Sequence, residues 1–554
     1  MNKLFLKYLL VITIQAAVFI FPQNVQTSFS PMNVAASDSI KKNLQILADD
    51  SLEGRAVGSK GGNAAANFIA QKFEQYRLKK ITDSNSYFQN IQMHASVAQT
   101  NSELSLVTNS DTIHFELTRD YFLYRSGQQT FTPVALPLVF VGFGIVAPEF
   151  DYNDYQTVDV EGKIVVYLDG EPFSEDEDYF SANIPTVYSY PESKQRIALS
   201  RGAAGTIRIP FDFIDKWETV KNDFAFEDVT LAYSVTSNLN IIIKPELAKA
   251  LFYDAKYSIA DVVDMYLNNS IISFPLNTKL KFKGVFKERD FISPNVIGMI
   301  EGNDVELKDS YIIISAHYDH LGIGAAVNND SIYNGALDNA IGVSVLLELA
   351  NALSNAKQNP NFELKRSLIF IATTGEEKGL LGSSFYIDNP VVPLYKTITN
   401  INIDGIAFFR DFVSLIGIGN DYSTLSKTLE LVAEENGMFV EEIPDQFRKY
   451  DAFNKSDQLA FAIGGIPSVL VLEGTINKSK NKDEVVNAFV DYFFIHYHKP
   501  SDDLKQNIDY DAAAKHAKVL LDLCIHLAND EEEPEWKTGS PYINARLRSA
   551  AEKR

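Results

Sequence analysis

The amino-acid sequence predicts an α/β protein with a mostly parallel sheet flanked by helices and an inserted β-rich domain. From about residue 293 onward, compact apolar runs typical of strands alternate with helical runs, as where YIIISA precedes AIGVSVLLELANALS. Between about residues 88 and 285, short β-rich runs separated by aromatic, Gly and Asp turn signals dominate instead. At about 150 residues per domain, a chain of 554 residues is long enough for both units.

These changes of pattern divide the sequence into five segments. The N-terminal part of the chain has helical spacing broken by a glycine-rich loop, and strand–helix alternation begins only after the β-rich stretch. The expected segments are a signal peptide or hydrophobic N-terminal segment (1–30), the first part of the main domain (31–115), the inserted β-rich domain (116–280), the larger part of the main domain (281–530) and a charged tail (531–554).

The N-terminal segment has the order of features found in a signal peptide. Lys3 and Lys7 precede an apolar, uncharged run at residues 8–21, and a polar stretch follows it. The run is shorter than the roughly 20 residues that a membrane span needs. We therefore expect a periplasmic or secreted protein with no stable membrane span after cleavage. An uncleaved membrane anchor is the alternative.

Charge balance and cysteine content exclude several function classes. Lys and Arg total 50 against 72 Asp and Glu, so the formal net charge is −22. Binding to a phosphate backbone needs a net cationic surface, so nucleic acid is not expected as a partner. Cys524 is the one cysteine, which excludes an intramolecular disulfide and a cysteine-based zinc site. The oligomeric state stays open.

Side chains able to bind a metal ion follow successive predicted strands. In an open α/β sheet the carboxyl ends of the strands form the edge where ligands bind. Imidazole and carboxylate donors without thiolate suit zinc or a similar divalent ion, and two ions sharing a carboxylate need about this many groups. The candidates are His317 and Asp319 after YIIISA, Asp338 in NGALDNAIG, Glu376 and Glu377 after SLIFIATT, Asp404 after TITNINI, and His498 in FIHYHKPSDD.

Each candidate also has an ordinary structural alternative. Asp338 could cap the helix that follows it, and Glu376 and Glu377 could be solvated side chains at a helix N-terminus. The His-Tyr-Asp sequence at His317 could form a surface turn. The shared position at strand ends, and the grouping of four of the eight histidines in HYDH and HYH, favour a common site.

The motifs resemble, in order and spacing, those of the M28 family of zinc aminopeptidases, which are metallopeptidases with a zinc-exopeptidase fold. The matching stretches are AHYDHLG, GALDNAIG, TTGEEKGLLGS, NIDG, SDQLAFAIGGIPSVLV and YHKPSDD, and LADDSLEGRAVGSKGGN is similar to the family's opening. The resemblance covers about residues 40–525. The β-rich stretch resembles the protease-associated (PA) domain inserted in many members.

The resemblance implies a two-zinc centre and a role for each candidate. Gln458 stands where the family often has a histidine, which puts in doubt any role for a histidine there. Two zinc ions per chain are expected. The implied roles are His317 and Asp404 on one zinc, Glu377 and His498 on the other, Asp338 bridging both, Asp319 orienting His317, and Glu376 as general base.

The expected function is hydrolysis of peptide substrates at their N-terminal residue. A glutaminyl-cyclase-like enzyme with a single zinc is one alternative. Carboxypeptidase or dipeptidase action is another, and it needs a cation for the substrate carboxylate, for which Arg448 and Lys449 are candidates. A catalytically inactive receptor-like protein is disfavoured because all five ligand residues are present.

Overall fold

We describe the fold from a computed structural model of the chain. The structure describes residues 36–552 apart from 124–131, 133, 175–178, 181–185, 211–216, 218–225, 237, 406–407 and 449. The predicted signal peptide at residues 1–30 lies outside the described residues.

The main domain is built on a mixed sheet in which we number the strands in chain order. Nine of the described strands pair in the order β10-β1-β13-β17-β14-β18-β21-β19-β20. Their bounds are β1 (Phe88–Ala98), β10 (Asp228–Leu231), β13 (Phe286–Ile300), β14 (Tyr311–His317), β17 (Ser367–Thr373), β18 (Thr397–Asn402), β19 (Ser414–Ile418), β20 (Phe439–Val440) and β21 (Ser468–Glu473).

The centre of this sheet is parallel and its flanks are largely antiparallel. Four of the eight pairings among the described strands are parallel, and three of these join β17, β14, β18 and β21. The prediction of an α/β fold is confirmed, but the sheet is less parallel than expected. The long strand β13 enters from the second domain and runs antiparallel to both β1 and β17.

Helices cover both faces of the central strands. Successive side chains of a strand point to opposite sides, so an apolar strand needs packing partners on both faces. In β14, Ile312 and Ile314 join the larger apolar core, whereas Ile313 packs into a second core on the other face. The described helices are α1 (Ala36–Leu47), α2 (Lys60–Gln75), α3 (Pro191–Ser200), α4 (Ala248–Leu251), α5 (Ile259–Leu267), α6 (Ile341–Ala356), α7 (Leu381–Asp388), α8 (Leu425–Glu435), α9 (Asp445–Arg448), α10 (Gln458–Ile463), α11 (Lys482–Asp491), α12 (Tyr510–Asn529) and α13 (Ile543–Ala551).

Helix α6 is the central helix of the larger core. It packs against α1 and α12, and its residues are almost entirely buried. In the part of the chain that the structure describes, Ala336–Ala356 is the one stretch with the length and hydropathy of a membrane span. It lies inside the protein, as expected for a core helix.

The second domain is a separate sheet of eight described strands in the order β3-β2-β12-β5-β8-β9-β11-β4. Its inner strands β5, β8, β9 and β11 are parallel. The bounds are β2 (Glu103–Val107), β3 (Thr112–Phe115), β4 (Tyr121–Leu123), β5 (Leu136–Phe140), β8 (Ile164–Leu168), β9 (Gly205–Ile209), β11 (Leu239–Ile243) and β12 (Phe274–Lys283). Two separate antiparallel pairs lie outside both sheets: β6 (Val146–Ala147) with β7 (Tyr152–Asn153), and β15 (Gly322–Val327) with β16 (Asp330–Tyr333).

The limits of this second sheet differ from the expected segment 116–280. The sheet begins at Glu103, because β2 and β3 pair with each other and β2 with β12. Conversely, β10 lies within the expected inserted segment but belongs to the main sheet, where it pairs with β1. The strand pattern alone does not distinguish these partners, because both sheets use short strands of the same alternation.

Candidate metal centre

The five predicted ligands converge at the carboxyl edge of the main sheet. His317 ends β14, and Asp404 follows β18 by two residues. Glu377 follows β17, and Asp338 lies in the turn that enters α6. His498 comes from the turn after α11, where its φ of 55° places it in the left-handed region. Three neighbouring parallel strands and two loops therefore supply one site.

The distances divide the ligands into two groups that share Asp338. Nε2 of His317 lies 3.3 Å from Oδ1 of Asp404 and 3.3 Å from Oδ1 of Asp338. Nε2 of His498 lies 3.1 Å from Oε2 of Glu377 and 3.4 Å from Oδ2 of Asp338. Each carboxylate oxygen of Asp338 thus faces a different histidine.

These side chains fit zinc by donor type and by spacing. Two atoms bound to one tetrahedral zinc at its usual ligand distances lie about 3.3–3.4 Å apart, close to the separations observed. Nε2 of His498 is buried and has no aligned hydrogen bond, although two carboxylates lie within 3.4 Å. A buried polar atom without a hydrogen bond needs another partner, and a cation between the nitrogen and the carboxylates supplies one.

The adjacent glutamates Glu376 and Glu377 have opposite electrostatic environments. Burial raises the pKa of Glu376 well above its usual value, and Glu377 and Asp404 add to the effect. Burial also acts to raise the pKa of Glu377, but His498 and His320 lower it well below its usual value. Divergent pKa values in neighbouring acids are typical of an acid–base pair with separate roles. Glu377 suits a permanent ligand and Glu376 a proton carrier.

The side chain of Asp319 was expected to orient His317, but the structure shows a different contact for it. Nδ1 of His317 lies 3.2 Å from the backbone carbonyl of Asp319, not from its carboxylate. The carboxylate accepts a hydrogen bond from the backbone N–H of Glu376 at 3.2 Å. Burial raises the pKa of Asp319 to about 6. Its side chain therefore positions the loop of the general-base candidate.

Two further ionisable residues beside the centre, His320 and Asp502, were not assigned a role from the sequence. His320 is fully buried, and its Nδ1 lies 2.6 Å from Oε1 of Glu377. Asp502 accepts hydrogen bonds from the backbone N–H groups of Leu337 and Asp338 at 3.0 and 3.1 Å. The sequence signals for these two residues were the second histidine of HYDH and the first aspartate of YHKPSDD.

Tyr497 is a third residue that sequence reasoning missed. Its ring stacks on the imidazole of His498 with centroids 3.9 Å apart. Desolvation by the surrounding groups raises the pKa of Tyr497 well above its usual value although the residue is 38% exposed, and the carboxylates of Asp338 and Glu377 raise it further. The phenol hydroxyl is therefore a protonated donor beside the carboxylates. Its position directly before a ligand histidine was the only sequence signal.

Gln458, at the position where a histidine was considered, has a structural role. Its Oε1 accepts a hydrogen bond from Asn402 at 2.8 Å, and its Nε2 donates to the backbone carbonyls of Ala452 and Phe453. The neighbouring Asp457 accepts hydrogen bonds from Thr373 and Ser383, both at 2.5 Å. All these groups are satisfied without a ligand.

Arg448 and Lys449 were the candidates for binding a substrate carboxylate, and the structure gives no support for that role. Arg448 pairs with Glu442 at 2.8 Å and with Asp445 at 3.1 Å. Lys449 lies outside the described residues.

Comparisons with known proteins agree with this geometry. Residues 295–524 match the model of peptidase family M28. Aminopeptidase NAALADL1 of Rattus norvegicus is 32% identical over 133 residues, which is 24% of this chain and 16% of that protein. Aminopeptidase YwaD of Bacillus subtilis is 28% identical over 183 residues, or 33% of this chain and 36% of that protein. The chain thus spans well under half the length of these relatives.

A solved structure extends the likeness of the fold over most of the chain. The aminopeptidase from Aneurinibacillus sp. strain AM-1 superimposes with a TM-score of 0.52 at 19% identity, covering 90% of this chain and 95% of that one. This likeness shows a shared fold over most of the described chain. Residues 295–524 form a peptidase family M28 domain, so the resemblance of the motifs within that segment is confirmed.

Proposed function

We propose that this protein is a secreted or periplasmic metal-dependent exopeptidase that removes N-terminal residues from peptides at a two-zinc centre. The observation that carries the proposal is that the two carboxylate oxygens of Asp338 face different histidines. One oxygen lies 3.3 Å from His317 and the other lies 3.4 Å from His498. One carboxylate between two histidines supports two ion positions rather than one. The localisation rests on the N-terminal sequence alone.

The residues of the two groups would hold the ions, with His317 and Asp404 on one, Glu377 and His498 on the other, and Asp338 between them. Bound zinc would supply Lewis-acid polarisation of the scissile carbonyl and lower the pKa of a water molecule toward ~7. His320 would hold Glu377 in place through its contact at 2.6 Å. Such supporting contacts orient ligands and are sensitive to mutation.

Glu376 would take a proton from the attacking water and give it to the leaving amine. Its raised pKa supports this role, because a carboxyl group that titrates nearer neutrality both accepts and releases a proton. Tyr497 would donate its hydroxyl hydrogen to the negative charge that develops on the carbonyl oxygen. The backbone contact from Glu376 to Asp319 would hold the base against the centre.

Aminopeptidase action is proposed over carboxypeptidase action because the described cation considered for holding a substrate carboxylate is not free. Arg448, the cation considered for a carboxylate, is already paired.

We propose further that the inserted β-rich domain shapes access to the centre. Burial raises the pKa of Asp451 in the main domain to about 6, and Glu171 of the second domain contributes to this effect. Glu171 follows β8, so the carboxyl edge of the second sheet approaches the loop that carries Asp451. The sequence resemblance of this domain to a PA domain supports the same role.

Metal analysis combined with Asp338→Asn tests the proposal. We expect two zinc ions per wild-type chain, hydrolysis of aminoacyl p-nitroanilides that a chelator abolishes, and no hydrolysis of N-acetylated analogues. Asp338→Asn should weaken both ions together, because each faces one of its oxygens. Asp404→Asn is the matched control and should weaken only the ion beside His317.

Full retention of both ions in Asp338→Asn would disprove the shared carboxylate. One zinc per wild-type chain with cyclisation of N-terminal glutamine would identify a glutaminyl-cyclase-like enzyme instead. Cleavage of N-acetylated peptides from the carboxyl end would identify a carboxypeptidase.

A further inference from the structure

Arg55 is a fully buried arginine that lies outside the matched peptidase domain. It belongs to the N-terminal LEGR sequence, to which no role has been assigned above. Its side chain is completely enclosed. The preceding Gly54 has a φ of +67°, and a Cβ atom there would lie 2.3 Å from the carbonyl oxygen of Tyr333. Glycine at this position therefore lets the backbone of Arg55 approach the loops of the main domain closely.

The guanidinium of Arg55 donates to backbone carbonyls from three parts of the chain. Nε donates to Tyr318 at 2.8 Å and Nη2 to Gly335 at 2.9 Å. Nη1 donates to Leu47 at 2.6 Å and to Asn334 at 2.5 Å. A planar fork with several donors in fixed directions holds such acceptors in a defined relative position.

Two of these carbonyls belong to the loops that carry the metal-binding candidates. Tyr318 lies between His317 and Asp319, and Gly335 lies three residues before Asp338. The backbone carbonyl of Arg55 also accepts the N–H of His320 at 3.3 Å. One side chain therefore joins the loop of one zinc-binding group to the loop of the shared carboxylate.

Arg55 also places a fixed positive charge beneath the carboxylates. Burial lowers its pKa to about 10, while Asp502, Asp319 and Asp338 act in the opposite direction. The group is therefore charged at neutral pH. Carboxylates crowded together repel one another in the absence of metal, and a nearby cation reduces this repulsion.

We propose that Arg55 is a positioning residue that holds the His317–Asp319 loop and the Asp338 loop in register and so sets the zinc affinity of the centre. This inference rests on the proposed function. It differs from a purely structural role, in which loss of Arg55 would lower stability without a specific effect on metal binding.

Arg366 provides a matched control for the structural role. It is also fully buried, and it donates to the backbone carbonyls of Leu527 at 3.3 Å and Asp530 and to the hydroxyl of Ser310 at 3.3 Å. It lies directly before β17, at the opposite edge of the sheet from Glu376. The two arginines share burial and type of partner but not proximity to the centre.

The test compares Arg55→Lys and Arg55→Met with Arg366→Lys in the full chain. Zinc affinity is measured by competition with a chromophoric chelator, and thermal unfolding is measured on the same metal-free samples. We expect both Arg55 variants to bind zinc ~10–100-fold more weakly, the usual cost of losing a group that orients ligands. Arg366→Lys should unfold at lower temperature but bind zinc within twofold of the wild-type chain.

The outcomes separate this inference from the proposed function. If the wild-type chain binds no zinc, the proposed function fails. If the wild-type chain binds zinc and folded Arg55→Lys binds it equally well, only the positioning role is overturned. If neither Arg55 variant folds while Arg366→Lys does, Arg55 serves folding of the domain, and the positioning role is likewise overturned.

Discussion

The two sheets of this protein collect charged side chains at the same kind of edge but use them differently. In the main sheet, His317 and His498 face an excess of carboxylates at the carboxyl ends of the parallel strands. In the second sheet, Asp169 directly follows β8 and accepts two hydrogen bonds from Arg208 of the neighbouring strand, at 2.6 and 2.8 Å. Lys194 lies over the same edge.

The difference lies in how fully the charges are satisfied within the protein. Asp154 in the second domain accepts hydrogen bonds from the backbone of Ile145 and from Tyr152, and Lys194 donates to the backbone carbonyls of Leu168 and Gly170. A cluster in which each charge has internal partners has little left to bind a ligand. The main-sheet cluster keeps a histidine nitrogen without an aligned hydrogen bond and an excess of negative charge, which suits a cation.

Replacement of Glu376 by glutamine should have the largest effect. The variant keeps the size of the side chain but cannot carry a proton, so turnover should fall by ~10²–10⁴-fold while zinc content stays near normal. Single-turnover hydrolysis of an aminoacyl p-nitroanilide, together with metal analysis, measures both. Glu348→Gln is the matched control, because Glu348 is also a buried glutamate of raised pKa but lies within α6. Equal activity of the two variants would remove Glu376 as the base.

Replacement of Tyr497 by phenylalanine should have the next largest effect. The ring would still stack on His498, but the hydroxyl beside the carboxylates would be lost. Loss of one donor to a developing oxyanion costs about 10²–10³-fold in kcat, so kcat should fall on that scale with little change in KM. Tyr386→Phe removes a tyrosine hydroxyl from the second apolar core and should leave kcat unchanged. An equal rise in KM with kcat preserved would assign Tyr497 to substrate binding alone.

The parts of the site predicted from sequence are those set by local chain pattern. An apolar strand that ends in an acid or histidine is visible in YIIISAH or TITNINID, and parallel neighbours bring such ends together. The same pattern does not specify whether a side chain or a backbone atom makes a contact. Asp319 illustrates this point, because its carbonyl contacts His317 while its carboxylate binds the backbone of Glu376.

Contacts between distant parts of the chain were not predictable in the same way. Arg55 and Tyr318 are 263 positions apart, and Asp502 and Asp338 are 164 positions apart. A buried arginine in a glycine-rich loop has no local pattern that names its acceptors. The same limit applies to the second sheet, in which β2 pairs with β12 across the whole inserted segment.

The smallest predicted effect concerns Lys194 and is confined to the second sheet. Burial lowers the pKa of Lys194 to about 8 from 10.5, although Asp169 and Asp154 act to raise it. Between these values the unfolded chain binds more protons than the folded chain, so the free energy of unfolding should rise with pH through this window. The rise attributable to Lys194 is at most about 3 kcal/mol. Lys194→Met should abolish it.

Urea unfolding at pH 7, 8.5 and 10 measures this rise in a Trp536→Phe background. That background leaves Trp217, whose ring lies 5.1 Å from Phe122 of β4, as the one tryptophan reporting on the second sheet. Peptidase activity at pH 7 should be the same with and without Lys194→Met, because the charges of this edge are satisfied internally. A fall in kcat/KM with unchanged pH dependence of unfolding would show that the second edge takes part in catalysis, and the contrast between the two sheets would not hold.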